Sequence, residues 1–184
     1  MDKISFKNRL DKAKIVAAIN KHLEVAIRVF SVKRVTRSFN VRATAGSRKY
    51  EYLFPLQCLR SRSAFKTVSD ADILKRVNTL LQLFIGTKNY HNFTQKISPK
   101  AEQAKRFMLK LETTLEEIGE TKLVRIRLHG QSFLYHQIRK MVGSILQTMV
   151  LGKEDEFLKK CLSTNKVNIW LAPSSGLLLD EVNT

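Results

Sequence analysis

The stretch Gly130–Gly152, GQSFLYHQIRKMVGSILQTMVLG, decides how the rest of the chain is read. It follows a strand-like run and reads as one amphipathic helix. Leu134, Ile138, Met141, Ile145 and Met149 fall on one face at helical spacing. His136, Arg139, Lys140, Gly143 and Gln147 fall on the opposite face. That second face is basic and has a glycine at its centre, where another backbone or a ligand can approach closely. Taken alone, the helix fits a core element with a solvated basic side as well as a ligand-facing one.

Upstream of this helix, 121–129 (TKLVRIRLH) alternates with period two: Leu123, Arg125, Arg127 and His129 point one way and Val124, Ile126 and Leu128 the other, a half-buried strand with a basic face. Its expected partner is 105–113, across an E-E-I-G-E turn region. Residues 86–94, GTKNYHNFT, break a helix predicted over 71–84, which Ser69 or Asp70 caps and which buries Leu74, Val77, Leu81 and Phe84. Residues 56–68 read as a basic loop, and 39–54 as a bent strand or strand pair that turns at Ala45–Gly46 and ends at Pro55. Further upstream, 26–35 reads as a central strand, 10–23 as a helix and 3–7 as a short strand. Downstream, 153–162 is a short helix with its charges placed as the dipole prefers, and the tail 167–182 gives strand, Pro-Ser-Ser-Gly turn and strand. Helices and strands mix with many hairpins, so the fold class is α+β, with a mixed, mostly antiparallel sheet flanked by helices.

With 184 residues, 43% of them hydrophobic, the chain can bury a core, and its longest apolar run is far short of a bilayer span. Cys58 and Cys161 stand alone, and the four histidines have no metal-ligand spacing, so a disulfide framework and a zinc site are not expected. The default is a reduced, intracellular protein without a metal. The net charge of +17 is the strong compositional signal. Residues 1–70 carry 16 basic and 5 acidic groups, a net of +11, against +6 for 71–184. Such an excess repels itself in the folded state and is compensated by a polyanion, so the composition points to nucleic acid.

Four segments in order are specific: SRKYEYLFP (47–55), GTKNYHNFT (86–94), GQSFLYHQIRKMVG (130–143) and APSSGLLLDEV (172–182). Together they resemble the tRNA pseudouridine synthase A (TruA) family, most closely its eukaryotic, nuclear and mitochondrial branch. The resemblance implies a pseudouridine synthase fold with two α/β subdomains around a basic cleft, here 1–68 (incomplete) and 69–184. It implies isomerisation of uridine to pseudouridine in tRNA, with messenger or small nuclear RNA as further substrates, in the nucleus or otherwise the mitochondrion or cytoplasm. No metal or cofactor is implied. Arg139 matches the family's arginine, which pairs with a catalytic aspartate, and Tyr50 the tyrosine that packs against the target base. Leu177 matches an apolar residue of the uracil pocket; His136, Lys140, His91, Asn92 and Arg48 complete the substrate-binding candidates. Independently of any family, a guanidinium gripping a carboxylate keeps it ionised and oriented, and an aromatic face stacks on an extruded base. The Arg125/Arg127 strand face and the basic residues of 1–70 are expected to hold phosphates.

In the family the aspartate lies in an R-T-D-x-G-V motif, which occurs nowhere in these 184 residues, and Lys88 stands where a histidine is usual. The segment MDKISFKN resembles the strand that follows the motif, so the chain is expected to begin just downstream of the aspartate and not to catalyse alone. A clipped enzyme, a piece of a split one and a non-catalytic RNA-binding relative using the same cleft are the three expectations.

Overall fold

The computed structural model describes residues 11–41, 44–60, 65–153 and 155–183; the strand expected at 3–7 lies outside them, as do 61–64 of the basic loop. The chain divides into two compact units, Met1–Val41 and Arg42–Thr184.

In the first unit, α1 (Lys12–Asn20) is shorter than the helix expected over 10–23: the Asp11 carboxylate is its N-cap, accepting from the Lys14 amide at 3.2 Å. The central strand expected at 26–35 does not form. A strand needs a neighbour to take its backbone groups. Here the Asn20 side chain accepts from the Val29 amide at 2.8 Å and donates to the Val29 carbonyl at 2.9 Å. Val25 and Phe30 are 87% and 91% exposed.

The second unit is built on a five-stranded sheet whose pairs are all antiparallel. The strands are β1 (Ser47–Pro55), β2 (Gly86–Asn89), β3 (Lys105–Ile118), β4 (Thr121–Gly130) and β5 (Leu177–Asn183), in the order β2-β3-β4-β1-β5. Val124, Ile126 and Leu128 of β4 are buried with Tyr52 and Phe54 of β1, as the alternation requires. β1 begins at Ser47, just after a bend at Thr44, and carries a register shift between Lys49 and Tyr50 against β5.

Helix α3 (Asp70–Gln82) is capped by the Ser69 hydroxyl, which accepts from the Asp72 amide, and it buries Ile73, Val77, Leu80 and Leu81. The basic loop expected after β1 contains a helical turn, α2 (Gln57–Arg60), and part of the expected 86–94 loop is β2, paired with β3. The rest of that loop is structural. Tyr90 and Phe93 are fully buried, pack with Phe84, and the Tyr90 hydroxyl donates to the Phe84 carbonyl at 3.0 Å.

Helix α4 (Gln137–Leu151) begins later than the pattern predicts, because His136 sits in the left-handed region at φ 64° and ends the loop before it. Ile138, Met141, Ile145 and Met149 face the core as expected. The opposite face is not solvated. It carries the segment 167–173, expected as a strand, which instead hydrogen-bonds to α4. Gln147 accepts from the Trp170 amide at 3.2 Å, and the Arg139 carbonyl accepts from the Ala172 amide at 3.2 Å. Gly143 is what allows this approach: a Cβ there would lie 1.9 Å from the Trp170 carbonyl oxygen. The chain then runs through α5 (Asp155–Leu162) and on to β5. No helix among the described residues is long and apolar enough to cross a membrane, and no group of three metal-binding side chains occurs among them.

Candidate active site

Where β1, the loop before α4, the first turn of α4 and the start of β5 meet, they enclose a cavity of about 420 Å³ lined by Tyr50, Phe133, His136, Arg139, Ser174 and Leu177, among others. Residues 50, 139 and 177 are far apart in the sequence, and the sheet order brings them together: β1 lies between β4, which leads into α4, and β5.

Each lining side chain has a local cause. Tyr50 is half-buried, and the Phe133 ring meets it edge to face at 5.1 Å between centroids. Phe133 is held by the loop that Gln137 organises. That fully buried amide accepts from the Leu134 N–H at 2.8 Å and points its NH₂ at the Met108 and Met141 sulfurs. Arg48 pins the same loop from β1, donating to the Gln131 carbonyl at 3.3 Å. Arg139 donates through Nε to the Ala172 carbonyl at 2.7 Å, and its two outer nitrogens make no hydrogen bond among the described residues. Leu177 follows the Ser174–Gly176 turn, which is fastened to β1 by the Tyr52 hydroxyl donating to the Pro173 carbonyl at 2.7 Å.

Burial first, then the neighbouring charges of Arg139 and Lys140, pull the His136 pKa below its ordinary value, which favours the neutral imidazole. The Tyr135 ring stacks on it at 3.7 Å and is itself exposed at the cavity rim. The sequence reading missed Phe133 and Tyr135, although both stand in the quoted GQSFLYHQIRK segment; the aromatic spacing just before a helix start is the signal that was available.

The remaining candidates lie elsewhere. His91, Asn92 and Lys140 line a second cavity, on the other side of the first turn of α4. Asn92 is structural: its NH₂ donates to the Cys161 and Asn165 carbonyls and its oxygen accepts from the Val167 amide. The Arg125/Arg127 strand face, expected to hold phosphates, is already paired with carboxylates, although Arg125 Nε makes no hydrogen bond among the described residues. Glu51 accepts from Arg127 Nε at 2.9 Å and lies 3.6 Å from Arg125 Nε, whose outer nitrogen lies 3.5 Å from Glu116. On the same face Lys49 pairs with Glu181 and Lys110 with Glu112. The sequence showed the basic strand but not the acidic residues its neighbours lay opposite it.

With tyrosine, arginine and leucine converging on one open, largely apolar cavity of an antiparallel α+β fold, comparison with known proteins becomes decisive. Residues 80–183, more than half of the chain, match the family described as tRNA pseudouridine synthase, and the chain belongs to that family. Among curated proteins, the pseudouridylate synthase 1 homolog of Homo sapiens is 35% identical over 178 residues, covering 92% of this chain and 41% of the relative. The tRNA pseudouridine synthase 1 of Saccharomyces cerevisiae is 25% identical over 260 residues, covering 96% of this chain and 48% of the relative. The chain thus spans less than half the length of these two relatives.

Proposed function

We propose that the Tyr50–Arg139 cavity is the base-binding side of a pseudouridine synthase site, and that the complete protein isomerises uridine to pseudouridine in tRNA. The observation that carries this reading is the convergence of Tyr50, Arg139 and Leu177 on one cavity in a chain of this family.

Uracil extruded from the RNA stack fits between the Tyr50 ring and Leu177. Extrusion costs on the order of a few kcal/mol, which phosphate contacts and stacking offset. Arg139 is prepared for a carboxylate. Its Nε is committed to the Ala172 carbonyl, so the guanidinium plane is fixed while the two outer nitrogens stay open for a bidentate partner. In this proposal the partner is an aspartate supplied from outside these 184 residues, which the guanidinium keeps ionised and aimed. The bond from uracil N1 to the ribose C1′ breaks, and the base turns while Tyr50 holds it. C5 then bonds to C1′, and the hydrogen displaced from C5 is balanced by one gained at N1. Messenger and small nuclear RNA are the further substrates this site chemistry accepts, since it reads an extruded uridine.

The test is release of tritium from C5-labelled uridine in a tRNA transcript by the complete gene product. Arg139→Ala is expected to lower kcat by about 100-fold or more, the scale of losing a preorganised charged donor. Unchanged turnover in that variant removes the assignment. Binding without any conversion by the wild type turns the protein into an RNA-binding relative. We further propose a nuclear location, with the mitochondrion and cytoplasm as the alternatives that a fluorescent fusion distinguishes.

A further inference from the structure

We propose that the second cavity, bounded by the 91–99 segment, α4 and residues 166–168, is a phosphate site that takes a backbone phosphate of the RNA whose uridine enters the Tyr50 cavity. It rests on the RNA reading above and adds a site that neither the family match nor the catalytic chemistry requires.

The cavity measures about 810 Å³, larger than the Tyr50 cavity. Its lining includes Lys96, Lys140 and Lys166 and contains no aspartate or glutamate. Other cations of the second unit do have carboxylate partners. Arg60 and Lys122 share Asp70, Arg76 pairs with Asp155, and four cations on the sheet face meet carboxylates. Lys96, Lys140 and Lys166 make no ion pair among the described residues.

Lys140 is also fixed in place. Its ammonium donates to the Asn92 carbonyl at 2.9 Å and the Thr94 carbonyl at 3.1 Å, which leaves one of its three N–H groups. Half-buried and without a carboxylate, it is a charge in need of an anion, and burial accordingly lowers its pKa from the ordinary lysine value. Lys96 is held at φ 58°, a conformation uncommon outside glycine and asparagine. Three separated ammonium groups around one space suit a compact anion with several acceptor oxygens, and lysine binds phosphate as a point charge.

The two cavities are linked covalently. Arg139 lines one and Lys140 the other, so the sites are separated at their base by a single peptide unit of about 3.8 Å between Cα atoms. An RNA strand whose base enters the first cavity passes the second within a few nucleotides.

The experiment uses the double variant Lys96→Asn with Lys166→Gln. Both side chains are exposed, and asparagine tolerates the backbone at 96, so the fold is expected to persist and is checked by thermal unfolding. Binding of a tRNA transcript is measured against salt concentration, and inorganic phosphate is titrated at constant ionic strength by thermal shift. The proposal expects the slope of log K against log salt to become shallower by about 1 to 2, each lost phosphate contact contributing about 0.7 to 0.9. It also expects the phosphate-induced shift to disappear in the variant. An unchanged salt slope with wild-type RNA affinity overturns it. Wild type that binds phosphate but no RNA refutes the RNA reading and leaves a site for free phosphate; wild type that binds neither overturns both.

Discussion

Arg139 grips the backbone of one residue with two of its own parts: its backbone carbonyl accepts from the Ala172 amide and its Nε donates to the Ala172 carbonyl. A single residue thereby does for the tail what a neighbouring strand would do. Four residues further along α4, Gly143 lets the Trp170 backbone lie against the helix. A methyl group there has no room, because the obstructing atom is a carbonyl oxygen and not a side-chain end that can swing away. Gly143→Ala is therefore expected to destabilise the fold by about 3 kcal/mol or more, at the upper end of overpacking effects. Urea unfolding measures it; a loss below about 1 kcal/mol would mean that the tail shifts freely. Gly176 has the same constraint at the other end of this segment, where a Cβ would lie 2.3 Å from the Leu53 carbonyl oxygen.

At the scale of elements, α3 depends on a carboxylate at its start. The Asp70 pKa lies below its ordinary 3.8, first through the hydrogen bond from Lys122, then through that from Arg60. A carboxylate whose folded pKa is depressed adds stability that is present above the unfolded value and is lost as pH falls through the folded one. Asp70→Asn is thus expected to lower the unfolding midpoint at pH 7 and to flatten its decline below about pH 4; parallel pH profiles for variant and wild type would exclude this role.

The elements also explain what the sequence could reveal. α3, β3, β4 and the apolar face of α4 were legible because each buries one face at a fixed period, and Val124, Ile126, Leu128, Ile138 and Met141 obey it. Residues 26–35 and 167–173 carry the same β-branched and apolar composition but form no ladder. Their backbone groups are taken by Asn20 in one case and by Arg139 and Gln147 in the other. Composition reports what a segment is willing to do; the partner that claims its amides lies far away in sequence. The site divides likewise. Tyr50, Arg139, Leu177 and His136 share a cavity, whereas His91, Asn92 and Lys140 fall in another, because adjacent helix positions turn about 100° apart.

For the second unit taken whole, the distribution of charge matters more than its sum. On the open face of the sheet Lys49, Lys110, Arg125 and Arg127 stand against Glu181, Glu112, Glu51 and Glu116, four against four. Removing acids there is expected to create binding where there was none. Glu51→Gln with Glu181→Gln should strengthen the tRNA interaction at low salt and steepen its salt dependence by about 1 to 2, without sequence preference. A variant with an unaltered slope would show that this face never meets RNA.

The balanced lattice also has a consequence for motion. Equal numbers of opposite charges spread across one side add almost nothing to the long-range field, whereas the lysines around the 91–99 cavity, on the side of α4, are left uncancelled. Near a polyanion this uncancelled group is pulled harder than the balanced face, which favours an approach with the 91–99 cavity foremost, so that part of the search for the right orientation is completed before the first contact.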